Sequence, residues 1–278
     1  MWNQPYRKTD VEVGASPLYP MMLENPQLRW AFIRKVYSIL SFQLLLTIAV
    51  AAVVVSFRPI AAFFSTTGAG LGVYILLILM PFFTLLPLYY YHQKHPVNYI
   101  LLGIFTICLA FAVGLTCAYT EGKLILESVI LTTVVFVSLT LYTFWAARRG
   151  HDFNFLGPLL VWGNHGSYGI CFDPGGFILQ LLLFHDSNPA VTFFFLSGIF
   201  HGFIFVFWMQ ILFPLGRISV MIYGCLASII FCGYIIYDTD NLIKRHTYDE
   251  YIWAAVSLYL DIINLFLSLL TIFRAADT

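Results

Sequence analysis

Seven stretches of the chain stay apolar for about the length of a bilayer crossing, and polar residues gather between them. The runs lie at about 37–57, 70–91, 98–119, 123–146, 192–213, 218–238 and 251–273. A spanning helix needs roughly 20 predominantly apolar residues. A barrel strand would alternate apolar and polar positions over roughly ten residues, and these runs do not. The pattern predicts an all-α membrane protein, a seven-transmembrane-helix bundle. Composition strengthens this: of 278 residues, 60% are hydrophobic, 18% aromatic and only 10% charged, well outside the range of soluble domains. With 14 basic against 14 acidic residues and no basic block, nucleic acid is excluded as a partner and the lipid bilayer is the expected one.

The polar segments complete the plan. Residues 1–28, with Pro5, Pro17, Pro20 and Pro26, are too polar and too broken to build a core and are expected to form a disordered cytosolic tail; no cleavable signal peptide is expected there. The stretch LRWAFIRKVY from Leu28 mixes Trp30 and Phe32 with Arg29, Arg34 and Lys35, as a helix start at the headgroup level does. Placing the N-terminus in the cytosol gathers Arg29, Arg34, Lys35, Lys94, Arg148, Arg149, Lys244 and Arg245 on the cytosolic side. Only Arg58, Lys123, Arg217 and Arg274 then fall on the far side. That orientation argues against a G-protein-coupled receptor. Between Gly150 and about Thr192 the regular pattern fails. Gly163, Gly166, Gly169, Pro174, Gly175, Gly176 and Pro189 break it, and the piece from Phe177 to Phe184 is too short to span, so an interfacial or re-entrant excursion is expected. Its His165, Asp173, His185 and Asp186 read as polar loop residues. The five cysteines, Cys108, Cys117, Cys171, Cys225 and Cys232, lack metal-ligand spacing and read as small buried hydrophobes, so neither a structural metal nor a cofactor is expected.

The acids of the last two runs carry the candidate chemistry. Asp261 sits in the middle of YIWAAVSLYLDIINLFLSLLTIF, where an ionisable group costs roughly 2.5 kcal/mol or more without partners. At about 100° per residue, Ser257, Asn264 and Ser268 fall close to Asp261, so this helix has one polar stripe. In a bilayer that stripe is expected to face the bundle interior. In the preceding run, Asp238 shares a face with Tyr234 and Asn241. Asp240 points about 200° away, towards Lys244, and reads as a solvated pair at the helix end. Two inward carboxylates on sequential helices joined by a short turn can meet. In a low dielectric they share a proton and titrate as a unit, as a pH sensor or cation site would. Glu127, near the far end of the fourth run, reads either as a vestibule residue or as an acid favoured by the helix dipole. His201 in the fifth run reads as a structural histidine.

The segments FPLGRISVMIYGCLASIIFCGYIIYDTDNLIKRHTYDEYIWAAVSLYLDIINLFLSLL and GHDFNFLG, with the lead-in LRWAFIRKVYSIL, resemble the Lifeguard branch of the Bax-inhibitor-1 family in its plant form. The likeness covers about residues 17–158 and 197–274, and the YDTD and LYLD motifs are its most specific parts. The resemblance implies a seven-helix protein of endomembranes (endoplasmic reticulum, Golgi or vacuole) or the plasma membrane, with the last helix central. It also implies suppression of programmed cell death, dealings with other membrane cell-death regulators, and a pH-sensitive leak of calcium ions. The aspartates that such relatives use as a proton-sharing sensor match Asp238 and Asp261. Two features depart from the family pattern. GLGVYILLILMPFFTLLPLYYY has no Lys or Arg to supply the arginine latch of some relatives, and about 35 residues, near 160–195, interrupt the passage from DFNFLG to the fifth span.

Three functions compete on this reading. The first is a cell-death regulator with a cation leak gated by Asp238 and Asp261. The second is a membrane scaffold that binds partners without ion flux. The third is an intramembrane aspartyl protease. The protease reading meets Tyr237 and Asp238 in its favour. Against it, Leu258, Tyr259 and Leu260 precede Asp261 where a glycine is required, and no PAL motif follows. The sequence therefore points away from an enzyme.

Overall fold

The structure, a computed structural model, describes residues 17–20, 22, 24–91, 93–157 and 216–277. Seven helices and no strand lie among them: α1 (Pro26–Ser56), α2 (Arg58–Thr66), α3 (Gly68–Tyr91), α4 (Val97–Ala118), α5 (Gly122–Arg148), α6 (Arg217–Lys244) and α7 (Tyr251–Asp277). Six of the described helices, all but α2, are long and apolar enough to cross a membrane. The expected fifth span at 192–213, His201, the interruption at 160–195 and Cys171 lie outside the described residues. The short helix α2, between the first two spans, was not expected: at 9 residues it is shorter than any hydropathy window that finds spans.

Local signals set the helix ends. Asn25 caps α1 by accepting a hydrogen bond from the Gln27 N–H at 2.9 Å, and Pro26 follows at the first helical position. The α5 terminus closes with His151 N–H on the Ala146 carbonyl and Gly150 N–H on the Ala147 carbonyl. Gly150 adopts φ +80°, the left-handed conformation that such a terminus requires.

The packing reverses what a soluble bundle would show. Leu126, Ile130, Val134, Val137 and Leu141 form an exposed apolar stripe along α5, and Ile218, Ile222, Leu226 and Ile229 form one along α6, as surfaces that meet lipid do. Buried polar residues lie inside, such as Gln43 bonded to Thr106 at 3.1 Å and Thr47 bonded to Tyr259 at 2.8 Å. Helix α7 is the centre. It packs against α1, α4, α5 and α6, and it is the most thoroughly buried of the six long helices. Leu18, assigned by its sequence to the disordered tail, belongs to the hydrophobic core instead, with Tyr19 and Met22 packed beside it. The rest of that tail, residues 1–16, lies outside the described residues.

Helices α6 and α7 form an antiparallel hairpin with a six-residue connection, 245–250. Its far end is tied where the Arg217 guanidinium donates to the Ala275 carbonyl at 2.6 Å. Close approach depends on Gly224, where an added Cβ would lie 2.6 Å from Ile272 Cγ1. This hairpin carries both candidate acids.

Candidate functional site

Asp238, one and a half turns from the end of α6, faces α7 and is 4% exposed; Asp261, on α7, is also 4% exposed. The Asp238 carboxyl is in hydrogen-bond contact with Asp261 and Ser257 on α7 and with Asn241 on its own helix. Its Oδ2 has no well-aligned donor among the described residues. The Ser257 hydroxyl lies 3.3 Å from the Ala254 carbonyl, which fixes its position one turn before Asp261. Two carboxyls, a hydroxyl and an amide thus meet in one water-poor contact between two helices.

The other expected residues fall around this contact. Asn264 is buried one turn beyond Asp261, and its carbonyl accepts the Ser268 hydroxyl at 2.8 Å. Tyr234 is buried between α6 and α7 in a cluster with Phe231, Tyr237, Leu265 and Leu269. Glu127 stands apart, 44% exposed, with Lys123 at 3.9 Å one turn before it. A cavity of about 630 Å³ does open at that end of the bundle, but Glu121 lines it together with Tyr119, Arg217 and Arg274. Among the described residues, no three His, Cys, Asp or Glu side chains group as a metal site would.

Asp240 differs from its expected place. It keeps Lys244 as partner, at 2.6 Å, but it is 1% exposed and the pair is not solvated. The reason is the GHDFNFLG segment, which folds back over the end of α6. The Phe153 N–H bonds Asp240. Lys244 donates to the His151 carbonyl at 2.6 Å, and Arg245 pairs with Asp152 at 2.9 Å. Gly157 lies against Tyr237, its absent Cβ 3.0 Å from the Tyr237 hydroxyl. This sequence motif therefore covers the last turn of α6, just beyond Asp238.

Two residues near the site escaped the sequence reading. His246 acts electrostatically on Asp238. Helical periodicity had no means of placing it, because α6 stops at Lys244 and the chain turns. Arg29 is 2% exposed and reaches the same turn from α1, donating to the His246 carbonyl at 2.6 Å. The only sequence signal was a cation inside an otherwise amphipathic helix start.

Arg29, Lys244 and Arg245 gather around the 245–250 turn, and Arg217 reaches the last residues of α7 at the opposite end.

Comparison with known proteins shows what the chain is similar to. The profile of the family described as "Inhibitor of apoptosis-promoting Bax1" matches residues 29–172 and 175–278. Protein LIFEGUARD 3 of Arabidopsis thaliana is 65% identical over 278 residues, covering 99% of this chain and 98% of its own. Protein LIFEGUARD 2 of the same plant is 64% identical over 278 residues, with 100% of both chains covered. The Golgi anti-apoptotic protein of Vaccinia virus (strain Lister) is 30% identical over 254 residues, 90% of this chain and 87% of its own. With a family match along nearly the whole chain and plant Lifeguard proteins alike from end to end, this protein belongs to the Lifeguard branch of the Bax-inhibitor family.

Proposed function

We propose that this protein is a membrane regulator of programmed cell death whose Asp238–Asp261 pair gates a pH-sensitive leak of cations, calcium among them. The names of its relatives support the first part. The carboxyl contact inside the α6–α7 hairpin supports the second and is the observation that carries the proposal. Two carboxyls in contact within a low-dielectric interior cannot both ionise at modest cost, so the pair holds one proton between them. The proton bonds one carboxyl to the other and keeps α6 against α7; Asp238 Oδ2, without a hydrogen-bond partner among the described residues, can carry it. Loss of that proton as pH rises leaves two like charges, and their repulsion loosens the hairpin at the centre of the bundle. The cytosolic N-terminus and an endomembrane setting belong to the same proposal, as does an action through other cell-death regulators in that membrane.

The test is calcium flux across liposomes containing the purified protein, measured from acid to alkaline pH. Flux is expected to rise with pH in the natural protein and to lose that dependence in Asp261→Asn. A pH-dependent flux left intact by that substitution would remove the pair from the gate. Suppression of cell death that persisted after flux had been abolished would favour the scaffold reading.

A further inference from the structure

The structure assigns to Arg29 a positioning role: it clasps the turn that joins the two aspartate helices, and so couples the segment preceding α1 to the carboxyl pair. The role rests on the reading of Asp238 and Asp261 given above.

The clasp is built from both sides of the guanidinium. One nitrogen donates to the His246 carbonyl at 2.6 Å and another to Glu24 Oε2 at 2.8 Å. The same Glu24 oxygen accepts the Tyr248 hydroxyl at 2.8 Å, so segment, helix and turn meet at one carboxylate. The guanidinium lies 5.3 Å from the Tyr248 ring centre and 5.7 Å from that of Phe32, within cation–π range of both. Those rings meet edge to face at 5.8 Å. Leu18, Tyr19 and Met22 hold the segment down on the core, and the Pro20 ring closes over Gly150.

From the turn the path runs on to the site. Arg29 fixes the backbone of His246, and the His246 ring is set by Glu250 at 3.3 Å, which also accepts the Thr247 N–H at 2.8 Å. A protonated His246 ring acts electrostatically on Asp238. The charged groups around the pair are then few. Helix α6 brings Asp240 and Lys244, the turn brings Arg245, His246, Asp249 and Glu250, the segment after α5 brings Asp152, the segment before α1 brings Glu24, and α1 brings Arg29 and Lys35. Helix α4 carries no charged residue. A guanidinium buried at this depth, committed to a backbone carbonyl of the turn and to a carboxylate of the segment, transmits a displacement of either to the other.

The test uses the full chain in lipid nanodiscs, with two readouts. Infrared spectroscopy follows the C=O stretch of the protonated carboxyl with pH, assigned by its loss in Asp261→Asn; hydrogen exchange follows the amides of 245–250. Glu24→Gln is expected to speed exchange in the turn several-fold and displace the carboxyl midpoint by about half a pH unit or more. Arg29→Lys keeps the charge but cannot hold both acceptors, and is expected to displace it further. Glu24 is exposed, so its variant decides the matter even if Arg29→Lys does not fold. An unchanged exchange rate, or faster exchange with an unmoved midpoint, overturns the clasp alone. Absence of any titrating band in the natural protein overturns the carboxyl-pair reading and the clasp with it.

Discussion

Asp240 and Lys244 approach to 2.6 Å under the folded-back 151–157 segment, whereas Glu127 and Lys123 are one turn apart on an open helix face at 3.9 Å. Burial decides what each pair is worth. Removing one partner of a buried pair strands the other charge and typically costs about 3–5 kcal/mol, while an exposed pair contributes about 0–1 kcal/mol. Asp240→Ala is therefore expected to lower the thermal unfolding midpoint in detergent by several degrees, and Glu127→Ala to leave it within error. A 100° wheel gave both acids of α6 their directions, and the structure brings Asp238, Ser257 and Asp261 together along the directions so derived. A wheel describes one helix and carries no information about the loop that returns to cover Asp240. For the same reason it did not disclose His246 or the buried end of Arg29, whose positions depend on a turn and on a helix more than two hundred residues distant in the chain.

The α6–α7 hairpin depends on its connection and on its closest approach. The Glu250 carboxyl is drawn from 4.5 down to about 2, first by its bond to the His246 ring and then by the Thr247 N–H. A depressed acid stabilises the fold above its unfolded value and loses that contribution as pH falls through its folded one. The stability difference between the natural protein and Glu250→Gln is accordingly expected to be full at pH 6 and to shrink as pH drops from 4.5 towards 2. Because Glu250 is part-exposed and screened, that difference should stay below about 1 kcal/mol. At Gly224 the cost is steric: a Cβ would meet Ile272, and overpacking of this kind costs about 1–3 kcal/mol. Gly224→Val is expected to weaken the hairpin by that amount, read from thermal unfolding. Long helices such as α5 and α7 were legible because apolar runs of bilayer length have few other solutions. The short α2 was not, since its start is set by the break at Phe57 and by Pro59, within a run too brief for periodicity to act on.

At the scale of the molecule, burial in the bilayer selects α7 as the axis. Its polar stripe has nowhere to go except inward, and α1, α4, α5 and α6 surround it. Among the described residues the outer faces of α5 and α6 stay exposed, and the described helices pack around a helix with a carboxyl at its middle. Any rearrangement of the Asp238–Asp261 contact thus moves the element on which the others rest. The central claim is that the two aspartates act as one titrating unit. A double-mutant cycle on pH-dependent calcium flux tests it most directly, with Asp238→Asn, Asp261→Asn and the two combined in the same liposomes. The account predicts that each single substitution abolishes as much of the pH dependence as the double. Independent effects that add in the double would contradict it.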